Sequence, residues 1–187
     1  MTIAQIQGRD HVSPLVGTEV AVSGIVTATR SNGFYLQDPI GDGDDATSEG
    51  IFVFTRTAPT VAIGDGVAVG GTVAEFIPGG AETGNLSTTQ ISASSVLVIS
   101  SENPLPDPVI LGENGRPVPN EVIDDDGLTS FDPDTDAIDF YESVEGMRVA
   151  VEDAVAVGPT SRFGEIPVIP DGGKNSDNRT EAGGVFI

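Results

Sequence analysis

Between Glu19 and Ser100 the chain reads as short runs of alternating Val, Ile, Thr and aromatic residues, each closed by Gly, Asn, Asp or Pro. This punctuation constrains the fold more than any other feature. A side-chain period of two marks half-buried strands, and no long stretch repeats the 3.6-residue apolar spacing of a helix. The runs are Glu19–Arg30, GFYLQD from Gly33, GIFVFT from Gly50, Asp65–Ile77 and Leu86–Ile99. Glycines stand where strands would bend or bulge: Gly24 inside the first run and Gly70-Gly71 inside the fourth. Five strands with a long, glycine-kinked first one predict an all-β fold, a five-stranded OB-fold-like barrel, with a generic β-sandwich as the competing architecture. The TAPTVAIGD link between the third and fourth runs leaves little room for a helix.

Past this barrel with its N-terminal arm (residues 1–100) the texture changes. Residues 101–142 hold six prolines, few apolar runs and an aspartate-rich stretch, and read as an extended connector lying on the barrel. Leu105, Val109 and Ile110 are its anchors. From residue 143 to 187 alternation resumes, and EGMRVAVEDAVAVGPTSRFGEIPVIPD echoes GTEVAVSGIVTATRSNGFYLQD: a Val-rich strand, a turn with Ser and Arg, then a Gly/aromatic opening. This predicts the start of a second OB-like β unit, which ends in GGVFI as if in mid-strand.

Charge limits the partners. The chain carries 29 acidic against 8 basic residues, a formal net charge of −21, so as a whole it repels phosphate backbones. Such a surface suits high ionic strength or bound divalent cations. The absence of cysteine excludes disulfides and thiolate-bound metals. No apolar run approaches the ~18 residues of a membrane-spanning helix, so no membrane partner is expected. The N-terminus has no basic, apolar leader pattern.

Two candidate sites emerge. Asp38, Asp42, Asp44, Asp45 and Glu49 crowd the loop between the second and third runs. Asp38, Asp42, Gly43 and Glu49 fall at the first, fifth, sixth and twelfth positions of a calcium-loop template, with Ile40 in place of the third ligand. Flanking strands exclude an EF-hand. Hard oxygens in a glycine-bent loop suit Ca²⁺, and the alternative is a solvated turn whose aspartates bond their own backbone. A second acidic cluster, Asp124–Asp126 with Asp132, Asp134, Asp136 and Asp139, reads as solvated linker.

The other candidate is the barrel face. Alternation puts Phe34 and Leu36 inside and Tyr35 and Gln37 outside, with Phe52 and Phe54 opposite Ile51 and Val53. Aromatics there could stack bases while Arg30 and Arg56 meet phosphates, or they could be buried by the connector. The single histidine, His11, has no nucleophile-elbow or metal-ligand constellation around it and reads as a capping or packing residue. Gly70-Gly71 and Gly79-Gly80 lack the Lys-Ser/Thr of a phosphate loop. No catalytic activity is expected of this chain. Asn85-Leu-Ser and Asn178-Arg-Thr match the glycosylation acceptor pattern.

Three stretches together carry a family likeness: IQGRDHVSPLVGTEVAVSGIVTA, GFYLQDPIGDGDDATSEGIFVFT and DDDGLTSFDPDTDAIDFYESVEGMRVAV with the GPTSRFGEIPVIPDGG that follows. They resemble the OB-fold region of secreted ExeM/NucH-type nucleases, with a departure at GRDHVSP, where a glycine beside the histidine would be expected. The resemblance implies an extracellular protein, a linked endonuclease/exonuclease/phosphatase catalytic domain after Ile187, and DNA as the parent enzyme's substrate. Two functions follow: a non-catalytic module that binds or positions DNA, single strands above all, or an acidic, Ca²⁺-stabilised or cation-free spacer that never touches substrate.

Overall fold

The computed structural model describes residues 1–174, 176, 179–181, 183 and 184. Five strands close a barrel in the order β1-β2-β3-β5-β4. They are β1 (Glu19–Arg30), β2 (Gly33–Gln37), β3 (Gly50–Phe54), β4 (Gly66–Phe76) and β5 (Thr88–Ser100). All neighbours are antiparallel except β3 and β5, which run parallel through Phe52–Phe54 and Gln90–Ser92. This is the all-β, OB-like barrel that the strand series predicts, and between β1 and β5 the only helical turn is the short 3₁₀ stretch Ala81–Thr83.

The inward set follows the period of two. Phe34, Leu36, Ile51, Val53, Val67 and Ile91 are fully buried in one cluster with Val22, Val26, Val69 and Val73. A short helix, α1 (Ile3–Gln7), adds Ile3 and Ile6 to this core. It starts at a capping box, in which Thr2 Oγ1 accepts from Gln5 N while the Gln5 side chain accepts from Thr2 N.

The glycines act differently from one another. The β1 bulge falls between Val26 and Ala28, not at Gly24. Gly24 is needed because a Cβ there would lie 2.7 Å from the Gln37 carbonyl oxygen. In β4 the register does shift between Gly70 and Gly71, with Ser94 as the extra residue on β5.

The connector is more ordered than an extended linker. It contributes β6 (Val109–Leu111) and the helix α2 (Ala137–Glu142). Its β6 pairs in parallel with β7 (Val149–Val151), whereas β8 (Val155–Ala156) pairs antiparallel with β9 (Val168–Ile169). The stretch after residue 143 therefore forms strands, but its first one pairs back onto the connector. Part of GGVFI and Asn178 of the second glycosylation pattern lie outside the described residues.

Candidate functional site

The outer face of β2 and β3 carries the predicted aromatic strip. Register sets Tyr35 opposite Phe52, and their rings meet at 5.1 Å with a 58° tilt. Arg30, Gly33 and Phe54 lie side by side on β1, β2 and β3. The Arg30 guanidinium stands 6.0 Å from the Tyr35 ring centre and donates to its hydroxyl at 3.4 Å. Phe54 and Tyr35 are half-buried, and Arg30 and Arg56 are exposed. Arg56 sits at φ 67°, a left-handed conformation that an L side chain rarely takes.

Two members of the strip differ from expectation. Gln37 does not face solvent: it is 3% exposed, and its Oε1 accepts from Arg148 N at 2.8 Å. Arg148 follows a glycine, Gly146, that lies flat on Gly50, where an added Cβ would come within 2.3 Å of the Gly146 carbonyl carbon. The chain after α2 thus crosses the Gln37–Gly50 end of β2 and β3 and leaves only the Arg30–Phe54 end open. Phe52 points away from the core but is only 9% exposed, packed against Tyr35 and into the space that side-chain-free Gly33 leaves.

The acidic loop uses its carboxylates on itself. Asp38 accepts from Ile40 N and Gly41 N, and Asp42 accepts from Asp44 N and Thr47 Oγ1. Asp44 accepts from Ala46 N and pairs with Arg9, whose Nε donates at 2.8 Å. The Ala46 amide and the Arg9 guanidinium hold the Asp44 carboxyl below its usual range. Buried Glu49 accepts from Asp42 N through Oε1, while its Oε2 has no partner, and desolvation with the Asp42 and Asp38 charges raises its pKa. Asp45 is exposed. Among the described residues no three acidic or histidine side chains are placed to hold a metal ion. As folded, the loop does not present an open set of Ca²⁺ ligands: Arg9 neutralises Asp44, and Asp38 and Asp42 cap loop amides.

A third group of residues was not signalled as a site by the sequence reading. His11 is buried, its Nε2 lies 2.7 Å from Asp139 Oδ1, and its ring meets Phe131 edge-on at 5.5 Å. Asp139 also accepts from Asp132 N at 2.6 Å. Beside it lie Glu75 from β4 and Glu142 and Glu145 from α2 and the turn after it. Glu75 accepts from Ser13 N and Thr89 Oγ1, and Glu145 from Thr89 N. Glu75 Oε2 and Glu145 Oε1 are buried without a donor. Burial first, then the neighbouring carboxylates, push Glu142 up to about 9. Burial and Glu75 push Glu145 up to about 7, although the Thr89 amide pulls the other way. Glu142 in its protonated form supplies the donor that Glu145 lacks. The three-residue spacing of Glu142 and Glu145 is the signal that could have marked them.

This cluster joins arm, barrel and connector. Gln7 Nε2 donates to Gly50 O at 2.7 Å, and Ser48 Oγ to Glu145 O at 2.6 Å. In the second acidic cluster, Asp124 and Asp126 likewise cap the amides of Gly127, Leu128, Thr129 and Ser130. Asn85 is exposed, with its amide donating to Pro78 O at 2.8 Å.

Residues 110–187 match the model of a family described as a domain of unknown function, DUF8508. No curated protein matches the sequence. Among solved structures the chain is similar to OBody AM1L10 bound to hen egg-white lysozyme, at 18% identity over 46% of this chain and 83% of that one, with a TM-score of 0.32. It is similar also to OBody AM3L15 bound to the same lysozyme, at 20% identity over 46% and 85%, with a TM-score of 0.31. The OB-like character of the barrel rests on its strand order and register, not on these likenesses.

Proposed function

We propose that the chain is a non-catalytic positioning module of a secreted nuclease, holding a covalently linked catalytic domain while DNA contact is confined to Arg30, Tyr35, Phe54 and Arg56. The observation that carries this reading is the clasp: connector, N-terminal arm and barrel share buried polar contacts, so whatever follows the connector inherits a fixed orientation. The nuclease association comes from the motif resemblance alone. A strip with two exposed arginines and two half-buried rings suits a flexible single strand, since stacking is worth ~1–3 kcal/mol per base. Fluorescence anisotropy of labelled single-stranded and duplex oligonucleotides, with wild type and Tyr35→Ala, tests the contact.

The burial of Gln37 and Phe52 favours a second reading, a spacer with no substrate contact. No anisotropy change at protein concentrations on the order of hundreds of micromolar, the weak end of non-specific binding, selects it. Neither reading includes hydrolysis. Cleavage of plasmid by the purified chain, abolished by a point mutation within it, would overturn both.

A further inference from the structure

Among the described residues nothing pairs with one edge of the far half of β5, Ser94–Ser100. β3 pairs only with Gln90–Ser92, whereas β4 covers the other edge of β5 as far as Ser100, and all seven residues from Ser94 are exposed. Register aligns Val22, Val69 and Val96 on the inner side and Ser23, Ala68 and Leu97 on the outer. Leu97 is 66% and Ile99 64% exposed, and Ile40 stands free nearby. Ile25, Asp38, Pro39, Ile40, Ile99 and Ser100 contribute to an open groove of about 340 Å³ on this outer side.

A bare strand edge offers a row of backbone donors and acceptors, and proteins ordinarily guard it with charge, proline or a covering element. Among the described residues none of these guards is present. From Thr83 to Ser101 the sequence has neither a charged residue nor a proline. Two bulges, at Ser94 and at Ile99, flank the regular run Ser95–Val98. The seven strand residues offer at most roughly 23 Å of edge, enough for a docked strand.

Charge names the occupant. Residues 57–115 contain six acidic residues (Asp65, Glu75, Glu82, Glu102, Asp107 and Glu113) and no Lys or Arg. Asp38 lines the same groove as Ile99, and Glu102 follows the strand. A second copy would bring another net charge of −21 against this surface with no basic group on the edge to offset it.

We infer that the Ser94–Ser100 edge docks an extended apolar segment of a partner protein flanked by Lys or Arg, added to the sheet as a further strand. Backbone pairing supplies the affinity, Leu97 and Ile99 receive alternate side chains, and the basic flanks meet Asp38 and Glu102. This goes beyond the positioning role and does not depend on it.

The test uses the ¹⁵N-labelled full chain and the capped peptide Lys-Val-Thr-Val-Thr-Val-Lys, with Glu-Val-Thr-Val-Thr-Val-Glu as control. Amide shifts and exchange protection should change within residues 94–100, with the lysine peptide bound about tenfold more tightly than the glutamate one. Leu97→Lys should weaken binding about tenfold, whereas Ile123→Lys, the same charge on an exposed connector residue, should not. Unchanged melting temperatures confirm that both variants fold. Equal binding of the two peptides, perturbation elsewhere, or no binding overturns the inference. So does a sedimenting dimer that Leu97→Lys makes monomeric, which would assign the edge to a second copy.

Discussion

His11 Nε2 lies 2.7 Å from Asp139 Oδ1, with both side chains buried and 128 residues of chain between them. The contact ties the N-terminal arm to the connector helix, and its energetic weight lies in what removal leaves behind. Removing one partner of a buried hydrogen bond costs about 1–3 kcal/mol, and more where the group left behind is charged. His11→Ala should therefore destabilise the chain by roughly 3 kcal/mol in urea unfolding. It should also open residues 101–136 to protease before the barrel yields. Cleavage of barrel and connector at one common rate would argue against a separable clasp.

Gly50 and Gly146 pack backbone to backbone, and a Cβ on Gly50 would sit 2.5 Å from both Gly146 O and Met147 N. Neither group is the end of a flexible side chain, so relief requires the connector to lift from β3. Gly50→Ala should cost about 2–3 kcal/mol, at the upper range for overpacking. It should free Gln37, whose Oε1 now accepts from Arg148 N. Loss of amide protection at Arg148 in the variant checks the mechanism, and retained protection contradicts it.

The barrel is legible in the sequence because each strand carries its own evidence. Asp65–Ile77 and Leu86–Ile99 become Gly66–Phe76 and Thr88–Ser100, and Phe34, Leu36, Ile51 and Val53 all turn inward as alternation requires. Gln37 shares Tyr35's side of the strand, yet it is buried by a segment 111 residues downstream, which no local period can encode. The same holds for Glu75, which gains its acidic neighbours only when α2 packs on the barrel. The β6–β7 pair hides in a proline-rich stretch whose three-residue strand is too short to show a period.

The Glu75–Glu142–Glu145 cluster predicts a pH dependence of a definite sign. Folding raises the pKa of Glu142 to about 9 and of Glu145 to about 7, from an ordinary glutamate value of 4.5. The native state then binds more protons than the unfolded chain, so this contribution is complete below about pH 4.5 and is lost as pH rises through the folded values. Facing groups are Glu75 from β4, Asp139 on α2, the Thr89 amide and Gln7. Stability should fall by several kcal/mol between about pH 5 and 9, at about 1.4 kcal/mol for each pH unit by which each group's pKa is raised. Glu142→Gln with Glu145→Gln should flatten that slope. A wild-type melting temperature that rises across this window would refute the shared proton.

The acidic loop bears on cation dependence. Asp38, Asp42 and Asp44 cap loop amides, and Arg9 already neutralises Asp44. The melting temperature should therefore be the same in millimolar Ca²⁺ and in chelator, while Arg9→Ala should lower it slightly, as an exposed pair worth about 0.5 kcal/mol would. A cation bound only by the folded state would add about 2.7 kcal/mol at a hundredfold excess over its dissociation constant. A rise of that kind, abolished by Glu49→Gln, would restore the ion site, since Glu49 Oε2 is the buried carboxylate oxygen of this loop left without a partner.

The Arg30–Tyr35–Phe54–Arg56 strip separates binding from folding through two of its residues. Phe52 is 9% exposed, so Phe52→Ala should act as a core deletion of about 3 kcal/mol and make binding fail through unfolding. Tyr35→Ala removes a half-buried ring and should weaken single-strand binding about fivefold, the low end of one lost stack, with a smaller loss of stability. Arg56 gives the cleaner case. At φ 67° it pays a conformational cost of roughly 1 kcal/mol that glycine does not, so Arg56→Gly should stabilise the fold while it removes a phosphate contact. Two arginines release few counterions, and log K against log salt should slope by only about −1.4 for a single strand. Duplex DNA, which offers no free base to stack, should bind more weakly still. Tighter binding to duplex, a slope several times steeper, or an Arg56→Gly variant that binds as wild type does would each move the contact off this strip and leave the spacer reading in possession.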